Sequence, residues 1–122
     1  MNSNQNLEKN LDKDTENKLY ILRQLNKNPE TSQRYLAQSI GVSLGKINYL
    51  LNELIKKGLI KIDNFSKNKS KINYIYLLTS RGISMKLNLT IRFMKRKLKE
   101  YDELKKDLRD KNYVDRSESK KK

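Results

Sequence analysis

Cysteine, histidine and tryptophan occur nowhere in the 122 residues. Their absence excludes disulfides, Cys/His zinc sites and any catalytic dyad built on a thiol or an imidazole. An enzyme on this chain would have to work with carboxylates, lysines and hydroxyls alone. The sequence holds no G-x-G-x-x-G, no Walker-type loop and no G-x-S-x-G elbow to organise them. No constellation of acid, base and nucleophile can be named, so the chain reads as non-enzymatic, with no cofactor and no metal. No apolar run approaches the roughly 18 residues of a membrane span, and no signal-peptide-like apolar segment is present, which predicts a cytoplasmic protein with no membrane partner. Apolar residues are themselves scarce, 35% against 34% charged. That allows one small core and leaves several segments exposed or disordered.

Positive charge is what the chain has in abundance: 28 Lys and Arg stand against 14 Asp and Glu, a formal charge of +14. The first 18 residues hold three lysines and four acids, so the whole surplus falls on the rest of the chain. A domain this basic is expected to meet polyanions, either nucleic acid or an anionic membrane surface. An AT-rich genome would also enrich lysine and asparagine.

The stretch from Thr31 to Lys57 reads as a short helix, a tight turn at Gly41 and a longer helix, the helix-turn-helix order that presents its second helix to a DNA groove. Thr31 or Ser32 can cap the first helix, in which Leu36, Ala37 and Ile40 face inward while Arg34 and Gln38 face out. Gly41 supplies the left-handed residue after it, Val42 plugs the turn into the core, and Ser43 caps the next helix. A step of about 100° per residue puts Leu44, Ile47, Leu50, Leu51, Leu54 and Ile55 on one arc, and Gly45, Lys46, Tyr49, Asn52 and Lys56 opposite. That outer face, with Glu53 its one acid, suits a negatively charged surface.

Before this stretch, residues 1–13 read as a disordered or frayed N-terminal arm. Asp14 or Thr15 is the expected cap of a helix carrying Leu19, Ile21, Leu22 and Leu25, ended by Asn28 and Pro29. After it, Gly58 closes the third helix, and the β-prone runs Leu59–Ile62 and Ile72–Leu78 flank a polar segment carrying Lys67, Lys69 and Lys71. Two such strands with a basic tip, directly after a recognition helix, are the wing of a winged-helix domain. The wing lysines are expected on phosphates, against the plainer reading of a solvated loop kept from aggregating.

These residues carry a family resemblance. LNELIKKGLIKI (51–62), a basic wing and LTSRG (78–82) resemble the order of features in MarR-type winged-helix transcription regulators. More narrowly, Tyr20 through Pro29, Ser32, SLGKINYLL (43–51), KNK (67–69), YLLTSRGI (76–83) and TIRFMKRKLKEY (90–101) resemble the small regulators of that family associated with exopolysaccharide (EPS) gene clusters. The match leaves out both tails and is most specific in SLGK and RFMKRK. The resemblance implies a DNA-binding transcription regulator of an exopolysaccharide or capsule-type cluster. Two departures stand out. The wing has only lysines after Asp63 where the family carries arginine, which favours point-charge phosphate contact over arginine readout. The chain is also short for the family's usual pair of long terminal helices, leaving little room for an effector pocket, and no residue pattern names a small-molecule effector.

From Thr79 or Ser80 to about Asn112 the pattern predicts one long helix. Leu87, Ile91, Met94, Leu98, Tyr101 and Leu108 recur at heptad spacing, with Leu104 beside the seam and Lys105 in it. The expected partner of that stripe is the same helix of a second subunit, against the plainer reading of a helix folded back on its own domain. Arg92, Lys95, Arg96, Lys97 and Lys99 either flank DNA or pair with Glu100, Asp102 and Glu103 as a solvated face.

The expected architecture is therefore mainly α with a small β-hairpin: a winged helix-turn-helix domain over 14–79, a long C-terminal dimerisation helix over 80–112, and a disordered basic tail over 113–122. Double-stranded DNA and a second copy of the chain are the expected partners. Lys46, Asn48, Tyr49 and Asn52 are the candidates for base edges, Gly45 allows close approach, and Ser32, Gln33, Arg34 and Ser43 are candidates for phosphate contact near helix N-termini. The alternative is a winged-helix protein-interaction module with only non-specific nucleic-acid affinity.

Overall fold

The computed structural model describes residues 2–63 and 74–112, with side-chain surroundings from 12 to 110 within those spans. In chain order it contains α1 (Asn2–Lys27), α2 (Gln33–Ile40), α3 (Leu44–Lys56), β1 (Ile60–Asp63), β2 (Ile75–Leu78), α4 (Ser80–Asp107) and a π-helical turn, Leu108–Asn112. The chain divides into two compact units, residues 1–88 and 89–122.

In the first unit, α1 runs unbroken through Asp14 and Thr15, so neither residue starts a helix and residues 2–13 continue α1. With 26 residues in α1 and 28 in α4, the chain has two long terminal helices, contrary to the expectation from its length. Leu19, Ile21, Leu22 and Leu25 are buried along one stripe of α1, each contributing on the order of 1.5–3 kcal/mol. The helix stops at Pro29, where the Asn28 side chain accepts from the Glu30 amide at 3.1 Å, a local bond that competes with a further helical turn. The Pro29 carbonyl then accepts from the Tyr76 amide at 3.3 Å, tying this turn to β2.

Local chemistry sets α2 and α3. Ser32, rather than Thr31, is the cap of α2 and accepts from the Tyr35 amide at 3.0 Å; Thr31 is buried. Gly41 has φ +82°, which a side chain would make costly, and its amide returns to Ala37 O at 2.9 Å. Ser43 caps α3 by accepting from the Lys46 amide at 3.1 Å. Ile47, Leu50, Leu51 and Leu54 are the buried face of α3. Leu44 is 48% exposed and Ile55 only half-buried, because both lie on the edge of the inward arc rather than at its centre. Ile40 and Val42 are likewise half-buried, less enclosed than expected.

Gly58, with φ +71°, turns the chain from α3 into β1. β1 and β2 pair antiparallel in the register Ile60↔Leu78, Lys61↔Leu77, Ile62↔Tyr76 and Asp63↔Ile75. The strands thus begin at Ile60 and Ile75; Leu59 is buried just ahead of β1. The expected basic tip, with Lys67, Lys69 and Lys71, lies outside the described residues, as does the tail over 113–122.

The segment LTSRG joins this hairpin to α4. The Thr79 hydroxyl donates to Gly58 O at 2.6 Å and accepts from the Gly82 amide at 3.1 Å, capping α4 while holding it to the end of α3. The Thr79 amide donates to Leu59 O at 3.0 Å. Gly82 packs so tightly that a Cβ there would lie 1.9 Å from the Leu59 carbonyl oxygen. A motif that is only a resemblance in the sequence is, in the fold, a joint between two backbone segments.

In the second unit the helix α4 continues. The Arg96 guanidinium lies 5.2 Å from the Phe93 ring centroid. Ile91, Met94, Leu98, Tyr101, Leu104 and, just beyond α4, Leu108 are exposed, from 43% at Ile91 to 68% at Leu104. Leu87, the first residue of the heptad stripe, is exposed as well.

Candidate nucleic-acid interface

The outer face of α3 is built by the same caps and glycine turn that aim the helix. Gly45, Asn48, Tyr49, Asn52 and Lys56 are all exposed on it. Asn52 Nδ2 donates to Asn48 Oδ1 at 3.2 Å, which pre-orients two amides one helical turn apart and leaves each with further hydrogen-bonding capacity. An added Cβ at Gly45 would meet nothing closer than Ser43 Oγ at 3.9 Å. The fold therefore has room for a side chain there, although glycine in a helix costs about 1 kcal/mol relative to alanine.

Lys46 is not on the centre of this face. It sits on the flank toward α1, where its ammonium pairs with both carboxylate oxygens of Asp14, at 2.9 Å and 3.1 Å. The same ammonium lies 5.1 Å from the Tyr49 ring centroid. Tyr49 in turn donates its hydroxyl to Glu53 Oε1 at 3.1 Å. That hydrogen bond to a carboxylate raises the Tyr49 pKa above the ordinary phenol value, so the hydroxyl keeps its proton. Nearby, burial first and the Lys57 ammonium second lower the pKa of Lys18.

At the start of α2 the residues expected to hold phosphate are differently occupied. Ser32 Oγ is engaged as the helix cap. Gln33 Nε2 donates to the Tyr76 hydroxyl at 2.9 Å, linking α2 to β2. Arg34 is exposed. Beside it Tyr35 is 53% exposed, an aromatic that the apolar periodicity of α2 does not single out and that flanks the same N-terminus. Asp14 is the other functional candidate that spacing did not bring out. Asp14 is 32 residues from Lys46, so no local pattern couples them, whereas the i, i+4 spacing of Tyr49 and Glu53 was readable.

Along α4, Arg92, Lys95, Lys97 and Lys99 are exposed, and Lys97 approaches Glu100 at 3.9 Å, a loose surface pair of little energetic weight. Among the described residues no helix is long and apolar enough to cross a membrane, and no group of three or more His, Cys, Asp or Glu side chains is placed to hold a metal ion.

Residues 14–61 match the family model described as winged helix-turn-helix DNA-binding. No curated protein matches the chain by sequence. Solved structures share its fold. A MarR-family transcription regulator superposes with a TM-score of 0.55 at 19% identity, over 84% of this chain and 73% of that one. ZitR of Lactococcus lactis in complex with DNA gives 0.57 at 18% identity, over 84% and 67%. The transcriptional repressor CouR, bound to a 23-mer DNA duplex, gives 0.58 at 21% identity, over 85% and 72%. The architecture is thus a winged helix-turn-helix, followed along the chain by the long helix α4.

Proposed function

We propose that this chain is a sequence-specific DNA-binding transcription regulator that works as a homodimer, with α3 in the major groove and the wing on the flanking backbone. The observation that carries this reading is Gly45. The fold has space for a side chain there, so the glycine is explained by something approaching from outside. Asn48, Tyr49 and Asn52 surround it with side chains that hydrogen-bond base edges, asparagine matching the adenine N6/N7 edge. Lys46 reaches the same groove from the flank. Arg34 and the amides at the start of α2, with Lys67, Lys69 and Lys71 of the wing and the amides that follow Ser43 at the start of α3, serve the phosphates. The solved structures of ZitR and CouR with DNA are consistent with this use of the fold.

The dimer reading rests on the exposed stripe Leu87, Ile91, Met94, Leu98, Tyr101 and Leu108, with Leu104 exposed beside it. Such a stripe at heptad spacing is satisfied by a second copy of itself, and a two-fold protein reads paired half-sites. The resemblance of SLGK and RFMKRK to EPS-associated regulators supports an exopolysaccharide-type gene cluster as the target.

Selection of bound fragments from the source genome, followed by gel-shift titration with Asn48→Ala/Asn52→Ala, tests the reading. The expected result is one enriched, two-fold-related site, and loss of discrimination by the double variant with little change in affinity for random duplex. Uniform recovery of fragments would instead mark a protein-interaction module with indiscriminate nucleic-acid affinity.

A further inference from the structure

On the proposed interface, one cation is already neutralised. Both oxygens of Asp14 lie within hydrogen-bond distance of Lys46 Nζ, at 2.9 Å and 3.1 Å. The pair is partly shielded, with the lysine side chain 36% and the aspartate 21% exposed, so it is screened less than a fully exposed pair. Tyr49 covers another side of the ammonium, and its hydroxyl ends on Glu53. From α1 outward this flank therefore reads carboxylate, ammonium, aromatic ring, carboxylate. A phosphate approaching Lys46 would meet the Asp14 carboxylate as well, and the attraction of the one is opposed by the repulsion of the other. An ammonium has three protons, and with two directed at Asp14 one remains for a neutral acceptor such as guanine O6 or N7.

Resting on the DNA-binding reading above, we propose that Asp14 is a positioning residue that withholds Lys46 from the phosphate backbone. Lys46 then contributes to sequence-dependent contacts and adds nothing to indiscriminate DNA affinity. Helix α1, which reaches α3 only through tertiary packing, thereby sharpens discrimination by suppressing the competing non-specific complexes. Non-specific binding is driven by counterion release, and each phosphate contact adds roughly 0.9 to the slope of log K against log salt.

The test measures that slope for random-sequence duplex by fluorescence anisotropy with the full chain. It compares the wild type with Asp14→Asn, Lys46→Ala, the double variant D14N/K46A and Glu16→Gln, and thermal unfolding confirms that each variant is folded. Asp14→Asn frees Lys46 and steepens the slope by about 0.9; Lys46→Ala leaves it at the wild-type value, and D14N/K46A returns to that value. Glu16 is exposed on the same helix, so Glu16→Gln makes the same charge change without releasing Lys46 and leaves the slope alone. A slope flattened by Lys46→Ala, or unchanged by Asp14→Asn, overturns the proposal while a steep wild-type slope preserves the DNA-binding reading. Equal steepening by Glu16→Gln overturns it too, since bulk charge would then be the cause. A wild-type protein with no salt-dependent binding removes both.

Discussion

Gly82→Ala is the substitution whose cost the structure specifies most directly. The new Cβ would sit 1.9 Å from the Leu59 carbonyl oxygen and 3.0 Å from its carbonyl carbon. Leu59 is backbone at the mouth of β1, so no side-chain rotation can relieve the contact. Reaching an ordinary van der Waals separation near 3.4 Å requires the two segments to part by about 1.5 Å. The same two segments are held by the Thr79 hydroxyl on Gly58 O at 2.6 Å and the Thr79 amide on Leu59 O at 3.0 Å, and neither bond survives that displacement. Overpacking typically costs about 1–3 kcal/mol, and two lost hydrogen bonds add about 1 kcal/mol each. Replacing glycine by alanine in a helix returns up to ~1 kcal/mol. The net loss is about 2–4 kcal/mol, which at ~4–8 °C per kcal/mol for a domain of this size lowers Tm by at least ~8 °C. Urea and thermal unfolding followed by far-UV circular dichroism measure it. Stability within ~0.5 kcal/mol of the wild type would refute the tight joint between Leu59 and the first turn of α4.

Gly45→Ala should behave in the opposite way: the vacant space around position 45 lets stability hold or rise by up to ~1 kcal/mol, while gel-shift affinity for the selected site falls at least several-fold; unchanged affinity would detach Gly45 from the groove. Leu98→Asp, at a stripe position 61% exposed in the single chain, should convert the protein to monomer in sedimentation velocity and weaken binding to a two-fold site more than to a half-site, with the melting of residues 1–88 little altered. A variant that remained dimeric would show that the stripe is not the subunit contact.

The parts of this protein legible in its sequence are those governed by neighbours in the chain. Ser32, Gly41, Ser43 and Gly58 act within a few residues of themselves, through caps and left-handed turns, so the order of α2, turn, α3 and β1 followed from spacing alone. The heptad stripe of α4 was readable for the same reason. Where local signals were weak the reading drifted: α1 has no start at Asp14, and Leu44 and Ile55 fell outside the core because a 100° wheel ranks an arc but does not say how wide its partner is.

The remaining features needed the tertiary structure. Gly82 ends the LTSRG resemblance in the sequence, which gives no physical reason for a glycine there; the approach of Leu59, 23 positions earlier, is what makes a side chain costly. Lys46 looks like a free cation on a recognition helix; only the packing of α1 on α3 delivers Asp14 to it across 32 residues. Composition and periodicity therefore determined what kind of surface α3 presents, a basic and amide-bearing face in a helix-turn-helix. Which of its charges is already balanced was decided by the fold, because an ion pair depends on separation in space and a sequence orders residues only along the chain.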